Sequence, residues 1–236
     1  MTRVLGNAYV RPLVTISILL ACLFVIAPVD GTPRGESQSY IRSHKNEEEL
    51  LGYLRPILRS SGLAARVYFS GYCPPEPGDP VVFPKLNVLP PAESASGMAA
   101  AQQVFRKARG VSVTTDVNGI IRITIGKVSK NILKTRISKL TFDPRSQYTD
   151  IFAIQAIQGA QEVQSAMGRL RLRLSTKPTI AGVNPPLEGL PHIPAFMSDV
   201  SMDQALDYVA SAFHSIVFFG ACVNSNLYEI RSKALL

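Results

Sequence analysis

The chain has 236 residues, 46% of them hydrophobic, and a formal net charge of +8. Core formers at this density exclude an intrinsically disordered chain and suit one domain or two small ones. The histidines, His44, His192 and His214, are scattered, and two distant cysteines without nearby histidines do not supply four ligands, which argues against a zinc-type centre.

Arg3 and Arg11 are the only charged residues before Asp30, and the apolar run Pro12 to Pro28 lies between Arg11 and that aspartate. A positive segment followed by an apolar run of this length reads as a secretory signal peptide over residues 1–31, with a small-residue cleavage site before Thr32. Two alternatives stand beside it: a retained membrane anchor, and a lipoprotein modified at Cys22, since Leu19-Leu20-Ala21-Cys22 is lipobox-like. In either alternative, the N-terminal segment is the one membrane contact expected. Removing residues 1–31, which hold Arg3, Arg11 and Asp30, leaves 205 residues with a net charge of +7. A basic exported protein meets anions such as head groups, envelope polymers and acidic partners. The remaining cysteines, Cys73 and Cys222, are expected to form a disulfide. Closing so long a loop is worth roughly 4–5 kcal/mol by chain-entropy reasoning.

Residues 32–45 read as a flexible lead-in. A helix–strand unit follows over 46–73: Asn46 to Glu49 has a capping-box pattern, and Leu50, Leu51, Leu54, Ile57 and Leu58 fall at helical spacing. Pro56 predicts a kink, Gly62 a stop, and Ala65–Phe69 a strand. Glu47, Glu48 and Glu49 are explained by the helix start. Residues 74–97 form a Pro-rich loop, with seven prolines between Pro74 and Pro91.

The central segment, 98–174, is α+β. A helix is predicted from Met98 to Arg109. Val111–Val117 and Ile120–Ile125 flank Asn118-Gly119 as a hairpin with both turn residues at positive φ. A helical turn near 129–134 leads to a strand over Ile137–Phe142. One long helix spans Tyr148 to Met167, ending at Gly168. Arg169, Arg171 and Arg173 then alternate with Leu170, Leu172 and Leu174 as a strand with one basic face. Residues 175–191 are a second loop.

Residues 192–236 read as a β-α-β-β unit: an extended Ala195-Phe-Met, a capping box at Ser201–Gln204, an amphipathic stripe of Met202, Ala205, Leu206, Val209 and Phe213, and strands at Ile216–Phe219 and Leu227–Ile230. The spacing Phe-x-Gly-x-Cys occurs twice, at Phe69/Gly71/Cys73 and at Phe218/Gly220/Cys222. Two helix–strand units side by side would put the cysteines together, each glycine allowing a bend, with Cα atoms within about 7 Å.

No nucleophile elbow and no Walker loop is present, and no cofactor is expected. Asp199, Asp203 and Asp207 fall at i, i+4 spacing, which reads as a solvated helix face in preference to a weak cation site. Lys127, Lys130, Lys134, Arg136, Lys139, Arg169, Arg171 and Arg173 are candidates for an anion-binding surface. Aromatic residues are not interleaved among them, which argues against nucleic acid.

His192-Ile-Pro-Ala195, Ala205-Leu206-x-x-Val209-Ala210 and Ile216-Val-Phe-Phe219 together resemble the short N-terminal module of secretins and TonB-dependent receptors. The hairpin residues 117–123 have a similar flavour. The resemblance implies a small bacterial periplasmic α+β unit that docks other proteins and is not an enzyme. The fold expected is thus α+β, with an antiparallel or mixed sheet and helices on one face. The function expected is an exported, non-enzymatic binding or structural module with a protein or envelope partner. The alternatives are an enzyme with dispersed site residues or a binder of anionic polymer. A deep polar pocket would favour the enzyme; exposed sheet edges would favour the binder.

Overall fold

The computed structural model describes residues 38–73, 80–175 and 192–235. The signal-peptide, anchor and lipidation expectations for residues 1–31, and most of the 175–191 loop, lie outside these residues.

Strand β1 (Ala65–Gly71) organises the chain. Its run Ala65-Arg-Val-Tyr-Phe69 is buried on both faces, so it can only sit inside a sheet. β3 (Ile121–Ile125) and β7 (Ser215–Cys222) flank it, both parallel to it. β2 (Val111–Thr115) pairs antiparallel outside β3, β8 (Leu227–Ala234) antiparallel outside β7, and the two-residue β5 (Arg173–Leu174) closes the far edge. The order of this six-stranded mixed sheet is β2-β3-β1-β7-β8-β5. A separate antiparallel pair joins β4 (Arg136–Thr141) to β6 (Phe196–Ser201).

The α+β class with a mixed sheet matches expectation, but helices cover both faces instead of one. Strand alternation explains this. Ala65, Val67, Phe69, Ile121, Ile123, Ile216 and Phe218 pack with α1 (Gln38–Ser61) and α2 (Gly97–Val104). Tyr68, Val217, Phe219, Tyr228 and Ile230 pack on the opposite face with α6 (Met202–Ala212), α4 (Asp150–Gly159), α5 (Gln161–Leu170) and the β4–β6 pair. A sheet apolar on two sides needs two covers.

Several local readings are corrected. α1 begins at Gln38, so residues 38–45 are helix and Asn46 is no cap. Ser43 and Glu47, one turn apart, are both buried, and the Ser43 hydroxyl accepts from Phe83 N–H at 2.7 Å, fixing the extra turns to the Pro-rich segment. Pro56 lies inside this helix. The Pro-rich segment itself contributes Val81, Phe83 and Val88 to the core. α2 stops at Val104, whose carbonyl is taken by Leu89 N–H at 3.0 Å, and turns continue beyond it.

The hairpin forms, but its turn is wider than two residues. Gly119 N–H donates to the Asp116 carbonyl, Asp116 N–H donates to the Ile120 carbonyl, and of the turn residues only Gly119 has positive φ. That is a three-residue loop with glycine in the left-handed position. The long helix 148–167 is two pieces, α4 and α5, preceded by the short α3 (Pro144–Tyr148). The break falls at Gly159–Ala160, where Ala160 is extended and the Gln164 side chain donates to the Gln158 carbonyl at 2.6 Å. The Arg–Leu alternation is mostly not strand: Arg169 and Leu170 end α5, Arg171 is its left-handed cap, and only Arg173–Leu174 are extended.

In the C-terminal unit, β6, α6, β7 and β8 follow as expected, and the Ser201–Gln204 capping box is complete. β6 joins β4, however, and not the main sheet.

The repeated Phe-x-Gly-x-Cys segments are neighbouring strands, and Cys73 and Cys222 lie at disulfide distance with Cα atoms 5.6 Å apart. The Asn224 side chain both accepts from Cys73 N–H and donates to Cys73 C=O, each at 3.0 Å. The glycines serve close approach, not bending. A Cβ on Gly220 would lie 2.5 Å from the Phe69 ring, and one on Gly71 2.3 Å from the Val82 carbonyl oxygen. α1 and α6 lie on opposite faces, whereas a repeated helix–strand unit with adjacent parallel strands would put both helices on one face.

Gly220→Ala is expected to cost roughly 1–3 kcal/mol, because the Phe69 ring is packed and cannot retreat. Urea unfolding monitored by circular dichroism measures it. A cost within error of zero would show that the ring moves freely. Ser201→Ala should cost about 1 kcal/mol through loss of the α6 cap.

Candidate functional site

Two arginines occupy inward positions on the central strands. Arg66 on β1 and Arg122 on β3 are register partners, so their side chains emerge together on the face covered by α6. Arg66 is fully buried. A guanidinium there requires opposite charge nearby, since an unpaired buried ion is prohibitively costly.

α6 supplies it. Asp203 and Asp207, one turn apart, point at the sheet. Arg66 donates to Asp203 Oδ1 at 3.1 Å, to Asp207 Oδ1 at 2.8 Å and to the Asp203 carbonyl at 3.0 Å. Arg122 donates to Asp203 Oδ2 at 2.8 Å, to Asp207 Oδ2, and to Asp116 Oδ2 at 3.2 Å. Asp116 comes from the β2–β3 turn, where its other oxygen caps Asn118 and Ile120 N–H, both at 2.9 Å. The Tyr68 hydroxyl accepts from Arg122 and donates to Asp203 Oδ1 at 2.9 Å. Lys130 Nζ sits 3.8 Å from the Tyr68 ring centroid and donates to Thr124 Oγ1 at 3.1 Å.

Three cations thus meet three carboxylates. Burial pushes the Asp203 carboxyl up, but the Arg66 and Arg122 guanidiniums more than offset it and hold it below the usual range. Burial dominates at Asp207 and carries it up to about 6 against the same two guanidiniums. Burial also raises the Tyr68 hydroxyl and lowers the Lys130 ammonium. Asp203 is therefore ionised at neutral pH and engaged by guanidinium, which blunts it as a base. Chemically the arrangement is a clamp that holds α6 against β1 and β3.

A second clamp closes the opposite face. Glu47 of α1 is buried against Arg231, with Lys233 Nζ at 3.5 Å. Arg231 also pairs with buried Glu229 and lies over the Phe69 and Phe218 rings. Glu229 in turn accepts from Val81 N–H at 2.8 Å. Glu47 therefore does more than greet a helix start.

Neither clamp was read from the sequence as a site. Asp203 and Asp207 are not a solvated face, and Asp199 is not on their helix; it lies in β6, exposed, beside Arg136. Among the described residues no group of three or more His, Cys, Asp or Glu is placed to hold a metal ion. The anion-surface candidates divide. Lys130 is turned onto Tyr68, and Arg136 pairs with Asp199. Lys127, Lys134, Lys139, Arg169, Arg171 and Arg173 are exposed. The signal that could have found the first clamp was present: Arg66 and Arg122 are lone charges at inward phase in apolar strands, and Asp203 and Asp207 are lone charges near the apolar stripe of one helix.

No protein-family model, curated protein or solved structure matches the chain. Among the described residues no helix is long and apolar enough to cross a membrane.

Asp207→Ala should cost about 3–5 kcal/mol, because it leaves Arg66 underpaired in the core. Exchanging Arg66 and Asp207 together for Met and Leu should cost much less; equal costs would show that packing, not charge, governs the site. The sign of the pH effect follows from each shift. Asp203's contribution is present above the ordinary aspartate pKa and is lost as pH falls through its depressed value. Asp207's runs oppositely, present below the ordinary value and lost as pH rises through about 6. Melting curves across the acid range should show Asp203→Asn removing the loss at the lowest pH.

Proposed function

We propose that this is an exported, non-enzymatic module that docks a protein partner of the cell envelope by strand addition at β2. The observation that carries the reading is the outer edge of β2. β2 is the end strand of the main sheet, and its sequence, Val-Ser-Val-Thr-Thr, has neither charge nor proline. Edge strands are usually blunted by such residues. The bonds of Asp116 to Ile120 and of Gly126 to Gly110 set the ladder phase, so the N–H groups of Val111, Val113 and Thr115 point away from β3. An extended peptide can use them directly.

Three further features support the reading. The cysteine pair is compatible with an oxidising compartment. The carboxylates and cations of the two clamps are spent on each other. The C-terminal strand–helix–strand pattern resembles secretin and TonB-receptor docking modules.

A photo-cross-linking residue at Ser112 or Thr114, both exposed, should capture one discrete envelope protein in the producing cell, while one at Lys45 on α1 should not. Thr115→Pro removes an outward donor without touching the β3 ladder and should abolish the adduct while the fold, by circular dichroism, is kept. No adduct at β2, or equal labelling at Lys45, overturns the reading.

A further inference from the structure

A separate basic groove lies between the Pro-rich segment and the chain leaving α2. It has a volume of about 340 Å³ and is lined by Lys85, Leu86, Asn87, Lys107, Ala108 and Arg109. Three cationic residues and an asparagine line it, and among the described residues no carboxylate does. Lys85, Lys107 and Arg109 are exposed, and among the described residues none forms an ion pair. This sets the groove apart from the clamps, where charge is neutralised on the spot.

The walls are fixed although the side-chain tips are free. On one side, Phe83 N–H is held by Ser43 at 2.7 Å and Leu89 N–H by the Val104 carbonyl at 3.0 Å, with Val88 buried between them. On the other, Ala108 N–H is held by the Phe105 carbonyl and Gly126 N–H by the Gly110 carbonyl, both at 2.8 Å. Lys85 and Lys107–Arg109 are therefore presented across a constant gap. The carbonyl end of α2 accounts for basic residues soon after Val104. It does not account for Lys85, which another segment brings in from the opposite wall. Three like charges around one concavity repel each other, and a multiply charged anion relieves that repulsion.

We propose that this groove binds a phosphorylated ligand, its phosphate held by Lys85, Lys107 and Arg109 and its uncharged part against Leu86, Ala108 and the Asn87 amide. Arg109 supplies planar paired donors for phosphate oxygens, and the lysines supply point charges. The volume exceeds that of a bare phosphate and accepts a glycerol or sugar phosphate. The same chemistry is offered by a phospholipid head group and by a free phosphate ester. The groove adjoins the start of β2 at Arg109, but its lining includes none of Val111, Val113 and Thr115, so the two readings are tested by different residues.

The test is amide chemical-shift titration of the whole chain with glycerol 3-phosphate, with inorganic phosphate in parallel. Flotation with phosphatidylcholine vesicles, with and without phosphatidylglycerol, completes it. The groove variant Lys85→Gln/Lys107→Gln/Arg109→Gln is compared with the equal-charge control Lys127→Gln/Lys134→Gln/Lys139→Gln. The expected result is saturable shifts confined to 85–89 and 107–110, weakened at least about tenfold in the groove variant and unchanged in the control. Vesicle binding lost only in the groove variant assigns the head group; ester binding without vesicle binding assigns a free phosphate. Shifts scattered over all basic residues, or equal weakening in both variants, overturn the proposal.

Discussion

The structure depends on the placement of one charge. Arg66 is buried in the middle strand of the sheet, with apolar residues before and after it in β1. A guanidinium cannot be left there alone, so some element must bring carboxylates to that face. α6 does, with Asp203 and Asp207 one helical turn apart and the Asp203 carbonyl as a third acceptor. Arg122, Asp116 and Tyr68 then tie β3 and the hairpin turn into the same network. Hydrophobic burial alone would tolerate small shifts of the helix along the sheet. The paired charges do not, and they set its position and rotation.

The other face repeats the logic with the same signs. There the helix α1 brings the buried carboxylate, Glu47, and the cations Arg231 and Lys233 project from β8. Each cover of the sheet is thus fastened by ion pairs as well as by apolar contact. Such networks are weak sources of net stability. Their contribution is to make alternative dockings expensive. A small sheet with two apolar faces and two amphipathic covers would otherwise have several near-equivalent packings.

The parts legible in the sequence were those governed by local rules. β1, the β2–β3 hairpin and the Ser201–Gln204 cap follow from alternation, turn chemistry and side-chain reach within a few residues. The parts misread were decided by distant partners. Residues 38–45 look polar and featureless alone, but Ser43 and Glu47 find bonds on Phe83 and Arg231 and the helix extends to include them. The 148–167 periodicity is continuous through Ala160, and only packing reveals the break. Arg169–Leu174 alternates as a strand would, yet half of it completes α5. The clamp was hidden for the same reason: Arg66 and Asp203 are 137 residues apart, and neither half is a motif.

That separation bears on how the protein can be made. A chain delivered N-terminus first presents β1 long before its principal neighbours exist. Cys73 waits 149 residues for its partner, and Arg66 waits almost as long for a counter-charge. Until β7 arrives, one flank of the central strand is open, with an unneutralised guanidinium in its midst. The β1–β7 ladder and the pairing of Arg66 with α6 can be completed only late, and long-range pairing of this kind slows folding. The same arrangement guards quality. A chain that stops short of α6 keeps an ion where its core should be, so it cannot pass as finished and stays open to proteases.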